Sequence, residues 1–194
     1  MTKPVIDAAK TALVVIDLQK GIARLETAPR RSSEVIANAA RLAAALRAQG
    51  AFIVLVRVSG SADGKDRLHP DCDQPMMAGT KLPEDWSEPV PEMSAQAGDH
   101  VVTKRQWGAF YGTDLDLQLR RRGITTIVLC GIATCYGVES TARDAYERGY
   151  QQIFVEDAMA SRSAAEHEHT IRTILPRIGR IRSTGDVLGE LASR

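Results

Sequence analysis

The chain has 194 residues, with 25 Lys and Arg against 24 Asp and Glu and a formal net charge of +1. Hydrophobic residues make up 44% and charged residues 25%. That ordinary globular balance argues against extended disorder and against an average basic face for nucleic acid or an anionic membrane. The length predicts one domain over residues 1–194. The longest apolar runs are far too short to span a bilayer. The first ten residues, MTKPVIDAAK, lack the apolar core of a secretory leader. Cys72, Cys130 and Cys135 form no paired framework, which together with that N-terminus predicts a reducing, cytoplasmic setting.

In chain order, Thr11–Ile16 is a continuous apolar run ending in β-branched residues, the mark of a strand buried on both faces. A helix follows to about Gln49, with Ser32 or Ser33 as its cap. Val35, Ala39, Leu42, Ala43 and Leu46 form one stripe on it, and Gly50 stands as its stop. Ala51–Val56 is a second strand. Residues 58–98 hold five of the eight prolines and read as a long irregular excursion. A third strand starts at His100 and delivers Lys104 at its end. A helix over Asp114–Arg122 follows, with Thr113 as N-cap. Thr126–Cys130 is a fourth strand, Val138–Arg148 a helix, and Gln152–Val155 a fifth strand. Ala164–Leu175 is a helix ending before Pro176, and Ile178–Ile181 is a candidate sixth strand. Strands alternating with helices predict a doubly wound, mostly parallel five- or six-stranded sheet in three α/β/α layers.

In such sheets, ligands bind beyond the carboxyl ends of the strands, where strand order reverses. The polar residues there are Asp17 and Gln19 after strand 1, Lys104 to Trp107 after strand 3, and Gly131 to Gly137 after strand 4. If the order is 3-2-1-4-5-6, strands 1 and 4 are neighbours, and Lys104 must reach across strand 2 on its long stem. The dinucleotide, mononucleotide and nucleophile-elbow fingerprints are all missing, so no cofactor is implied.

What remains resembles the isochorismatase-like hydrolases, or cysteine hydrolase superfamily. The resemblance rests on Val14-Val-Ile-Asp-Leu-Gln19, on Lys104-Arg-Gln-Trp-Gly-Ala-Phe110 with Thr113-Asp-Leu115, and on Gly131-Ile-Ala-Thr-Cys-Tyr-Gly-Val138 with Ser140-Thr-Ala-Arg-Asp-Ala145. Val155-Glu-Asp-Ala158 is a further echo. These blocks run in family order over nearly the whole chain, and the chain looks most similar to a bacterial isochorismatase-like branch. The family's amidases use an Asp–Lys–Cys triad, which the resemblance carries onto Asp17 and Lys104. The nucleophile of the family motif stands six residues after its first Gly, and here that position is Gly137, with Cys135 two positions early. The resemblance therefore implies a site without its thiol, as in the true isochorismatases, which cleave a vinyl ether without a covalent intermediate. Those enzymes carry Tyr where this chain has Ala133, which speaks against isochorismate itself.

The resulting expectation is a hydrolase of a small unsaturated or cyclic metabolite, with Asp17 as acid and base and Lys104 holding charge and position. Two alternatives stand beside it: an amide or C–N hydrolase using Cys135, and a fold kept to bind a small molecule without catalysis. Gln19, Trp107, Phe110, Ile132, Ala133 and Tyr136 are the expected substrate contacts. The resemblance also implies a cis bond between Ile132 and Ala133, bending the loop so that its N–H groups face the substrate. His69, Asp71 and Asp73 are read as solvated loop residues rather than metal ligands, because the metal-binding members of the family carry Asp-x-His just after strand 2. His167 and His169, two apart on a helix, do not face one site. The expected partner is a small-molecule substrate, with neither nucleic acid nor membrane. A homo-oligomer, dimer or tetramer, is expected on the resemblance and on Met76, Met77 and Trp86 as apolar anchors.

Overall fold

The computed structural model describes residues 6–74 and 82–192. Six strands form one sheet in the order β3-β2-β1-β4-β5-β6, and every pairing is parallel. They are β1 Thr11–Ile16, β2 Phe52–Val58, β3 His100–Lys104, β4 Thr126–Ile132, β5 Gln151–Ala160 and β6 Arg180–Arg182. Every residue of β1 is buried. Alternation along the strand sends Leu13 and Val15 to one core and Ala12, Val14 and Ile16 to the other. The first core is covered by α2, Ser32–Ala48, and α6, Thr184–Ala192. The second is covered by α3, Leu115–Arg121, and α4, Glu139–Glu147.

Several boundaries differ from the expectation. Ser32 is the first residue of α2 rather than its cap, and its hydroxyl donates to the Ala23 carbonyl of the short helix α1, Lys20–Ala23. Asp114, not Thr113, precedes α3, although the Thr113 hydroxyl accepts from the Leu115 N–H. β5 runs five residues past Val155, its register against β4 broken between Leu129 and Gly131. The helix read as ending before Pro176 is α5, Ala164–His169, continued by a wide turn over Thr170–Ile174 and a tight one over Leu175–Arg177. Pro176 sits near the start of that last turn, where its missing N–H costs nothing. No helix among the described residues is long and apolar enough to cross a membrane.

The return leg of the excursion is strapped onto the end of β1. The Val90 N–H donates to Leu18 O at 3.1 Å, Lys20 N–H to Glu88 O at 2.8 Å and Gly21 N–H to Trp86 O at 3.0 Å. The Trp86 indole lies flat against Gly21, where any Cβ would overlap the ring. Trp86 is thus buried in its own chain, which corrects its reading as an anchor for a neighbour; Met76 and Met77 lie outside the described residues.

Candidate active site

β1 and β4 end side by side, with Ile16 paired to Gly131. Gly131 has φ +122°, and a Cβ there would run into the Ile16 carbonyl, so only glycine allows the two strands this approach. Asp17 follows at φ +53°, a left-handed conformation that Asp tolerates better than most residues, and its N–H donates to Val56 O at 2.9 Å. The turn brings the Asp17 carboxylate against Gly137, in the connection from β4 into α4. Lys104, at the end of β3, reaches across β2 to meet it. Its Nζ donates to Asp17 Oδ2 at 2.7 Å and to the Trp107 carbonyl at 2.6 Å. Both residues are buried, Lys104 to 2% exposure and Asp17 to 6%.

Two opposed effects act on Asp17. Burial removes water from the carboxylate and raises its pKa, while the Lys104 charge and hydrogen bond lower it. Burial wins, and the pKa is pushed up to about 6. Oδ2 is engaged by Lys104, whereas Oδ1 is buried with no hydrogen-bond partner among the described residues. A proton taken up at Asp17 therefore belongs on Oδ1, since Oδ2 accepts from Lys104.

Gly137 completes the cluster. A wide turn over Thr134–Val138 leads from β4 into α4 and buries Gly137 against the pair. A Cβ built there would stand 2.9 Å from Ile16 Cγ2, 3.1 Å from Asp17 Oδ2 and 3.3 Å from Lys104 Nζ. The Gly137 carbonyl accepts from Thr141 Oγ at 2.6 Å, and the same hydroxyl accepts from the Ala109 N–H at 3.1 Å, tying the loop after β3 to the turn after β4. The Ile132–Ala133 bond before the turn is cis. Gly137→Ala is expected to fold with a loss of about 1–3 kcal/mol, because its neighbours must shift by a few tenths of an ångström. It is also expected to disturb the Asp17–Lys104 contact, read as a changed Asp17 titration in a 13C NMR pH series.

The other expected residues scatter. Cys135 faces Ser161: its N–H donates to Ser161 Oγ at 3.2 Å, and that hydroxyl donates to Cys135 Sγ at 3.4 Å. Burial, together with Glu166 and Glu139, raises the thiol pKa against the opposing bond from Ser161, so its reactive thiolate is disfavoured. Cys130 is core, its thiol pushed up to about 12 by burial and Asp157, and Cys72 is exposed. The Gln19 amide is spent on the fold. It donates to Val58 O at 3.0 Å and Trp86 O at 3.1 Å and accepts from the Val58 N–H at 2.9 Å, clasping β1, β2 and the strap. Phe110 is 4% exposed and stacks on Tyr150 at 5.9 Å beneath Arg148, so it packs the core rather than a mouth. Ile132 is likewise core, and Ala133 is half-buried. Trp107 and Tyr136 do come together, with ring centroids 5.0 Å apart, on the loops that carry the Lys104-bound carbonyl and Gly137. His69, Asp71 and Asp73 are all exposed. Sequence reasoning missed Thr141 and the buried His167, which bonds Thr134 in the turn; only the Thr four residues after Gly137 carried a local signal.

Residues 11–186 match the Isochorismatase domain. The chain belongs to the isochorismatase family. It is 56% identical to the uncharacterised isochorismatase family protein YwoC of Bacillus subtilis, over 96% of both chains. It is 34% identical to the ureidoacrylate amidohydrolase RutB of Variovorax paradoxus, covering 79% of this chain and 69% of that one. Among solved structures, an isochorismatase family protein from Burkholderia thailandensis superposes with a TM-score of 0.92 at 44% identity, covering 98% of this chain and 99% of that one. The N-carbamoylsarcosine amidase of Thermoplasma acidophilum superposes with a TM-score of 0.70 at 30% identity, over 90% of this chain and 96% of that one. The protein is an isochorismatase-family hydrolase with a three-layer α/β fold.

Proposed function

We propose that this isochorismatase-family hydrolase cleaves a small unsaturated or cyclic metabolite at Asp17, with water as the nucleophile and no covalent cysteine intermediate. The observation that carries the reading is the direction of the Gly137 backbone. Its Cβ vector points at Asp17 Oδ2 and Lys104 Nζ, so the position facing both charged groups bears no side chain. With no thiol there, Asp17 is the titrating group placed to start the reaction, as an acid. Asp17, half-protonated near pH 6, transfers the proton of Oδ1 to an electron-rich alkene carbon. The resulting oxocarbenium ion takes up water, its extra proton returns to the Asp17 carboxylate, and collapse of the hemiketal releases an alcohol and a carbonyl compound. Lys104 keeps the carboxylate in place and balances its charge when it is ionised. The Trp107 and Tyr136 rings, tilted 54° to one another, offer aromatic faces beside the pocket for an unsaturated substrate.

A second reading, C–N bond hydrolysis, draws on the ureidoacrylate amidohydrolase and carbamoylsarcosine amidase relatives. Here it would need Cys135, whose thiol is bonded to Ser161 and disfavoured as a thiolate. Turnover of a panel of enol ethers, cyclic amides and ureido acids separates the readings. Cleavage of an enol ether that survives Cys135→Ser within about threefold and disappears in Asp17→Asn supports the proposal. Amide or ureido turnover abolished by Cys135→Ser overturns it, and saturable binding of these compounds without turnover points to the non-catalytic reading. The pH profile adds a sign. A group that works protonated, with a pKa of about 6, makes kcat/KM halve near pH 6 and fall about tenfold per unit above it. A limb that rises through pH 6 instead would make Asp17 a base.

A further inference from the structure

The turn that sets Gly137 over the ion pair is gripped from outside by α5, a segment with no contact of its own to Asp17 or Lys104 among the described hydrogen bonds. Thr134, the first residue of the turn, is fully buried, and its Oγ1 lies 2.8 Å from Nδ1 of His167 on α5. One helical turn on, Thr170 Oγ1 donates to Glu139 Oε2 at 2.7 Å, just past the other end of the turn. Ser161 holds the Cys135 N–H between them. The helix start is itself fixed: Ser163 Oγ accepts from the Glu166 N–H, and the Glu166 carboxylate accepts from the Ser163 N–H.

We propose that His167 is a positioning residue: through its bond to Thr134 it holds the Thr134–Val138 turn, and so sets how closely Gly137 covers Asp17 and Lys104. The inference rests on the reading of that pocket as the reaction centre. Two physical points favour His167 for the task. The residue is 4% exposed, so a broken bond would leave two buried polar groups unsatisfied, which makes the contact stiff. Burial and the nearby Arg30 also push its pKa below the usual histidine value, against the opposing pull of Glu168, so the ring is neutral at physiological pH and adds no charge to the pocket.

The test needs no substrate. The Asp17 carboxyl titration is followed by 13C NMR in the wild type, where a midpoint near 6 is expected. In His167→Ala the turn loosens, water reaches Asp17, and the midpoint falls by about one unit toward the ordinary carboxylate range. Thr134→Val removes the same bond with a side chain of the same shape; it should give the same fall and decides the matter if His167→Ala does not fold. His167→Asn places an amide where Nδ1 stands and should restore the wild-type midpoint. A merely structural histidine would lower the melting temperature and leave the Asp17 midpoint in place. An unchanged midpoint in a folded His167→Ala or Thr134→Val, or a fall in His167→Asn as large as in His167→Ala, overturns the proposal. Because the readout is a titration and not turnover, it can fail while the hydrolase reading stands, and the reverse.

Discussion

Replacing Lys104 by methionine is expected to destabilise the protein by about 3–5 kcal/mol at pH 8 and by clearly less at pH 5. Methionine fills much of the volume of the lysine stem, so the loss is mainly electrostatic. At pH 8 the wild-type pair holds its two charges 2.7 Å apart in a buried site. Without Lys104, Asp17 is left as a buried carboxylate with nothing opposite it, or must take a proton from an alkaline solution. At pH 5 the variant's Asp17 is protonated and neutral, and that penalty is gone. The sign follows from linkage. The folded pKa of Asp17, about 6, lies above its ordinary value of 3.8, so folding takes up a proton between those limits. The stability this gives is full below pH 3.8 and is lost as pH rises through 6. Removing Lys104, which opposes the upward shift, moves the upper limit higher and deepens the loss. Urea midpoints of wild type and variant at pH 5 and pH 8 measure it, and equal differences at the two pH values would contradict the account.

Asp17→Asn is expected to lower turnover by about 10²–10⁴-fold while leaving the fold intact. Asparagine is the informative choice because it adopts the left-handed backbone at φ +53° and keeps an oxygen for Lys104. It cannot deliver or recover a proton. The acid limb near pH 6 should vanish together with the activity, so residual turnover should be flat with pH. A variant that retains the limb would assign it to another group.

The strands could be read from sequence because a sheet buried on both faces writes itself as unbroken apolar runs, and β1, with all six residues buried, is the clearest case. Asp17 was legible because it directly follows such a run, whereas Lys104 ends the half-exposed strand His100–Lys104 and was legible through the motif Lys104-Arg-Gln-Trp-Gly-Ala-Phe110. What hid was either tertiary or out of step with local patterns. β5 continues through Glu156 and Asp157, two charged residues that look like a terminus until the Asp157 side chain is seen accepting from the Thr184 N–H and hydroxyl. α6 contains Gly185 and Gly189, which blur its periodicity, yet Val187 and Leu191 close one core. Gln19 looked like a ligand contact because it stands beside Asp17. Its role depends on Val58 and Trp86, which no spacing brings near. The same holds for His167 and Thr134, which meet only because β5 carries α5 back past the turn.

The bare Gly137 backbone also has an evolutionary meaning. A glycine codon and a cysteine codon can differ by a single nucleotide, so one base change is enough to set a thiol against Asp17 and Lys104. The step has a cost set by a methyl group: Ile16 Cγ2 stands 2.9 Å from where the new Cβ would lie and must give way. A smaller residue at 16 would relieve that contact. Ile16 is also the residue whose carbonyl lies against Gly131, so its backbone is locked and only its side chain is free to change. The bare and the thiol-bearing forms of this pocket are thus neighbours in sequence space, separated by one substitution and a small repacking around Ile16.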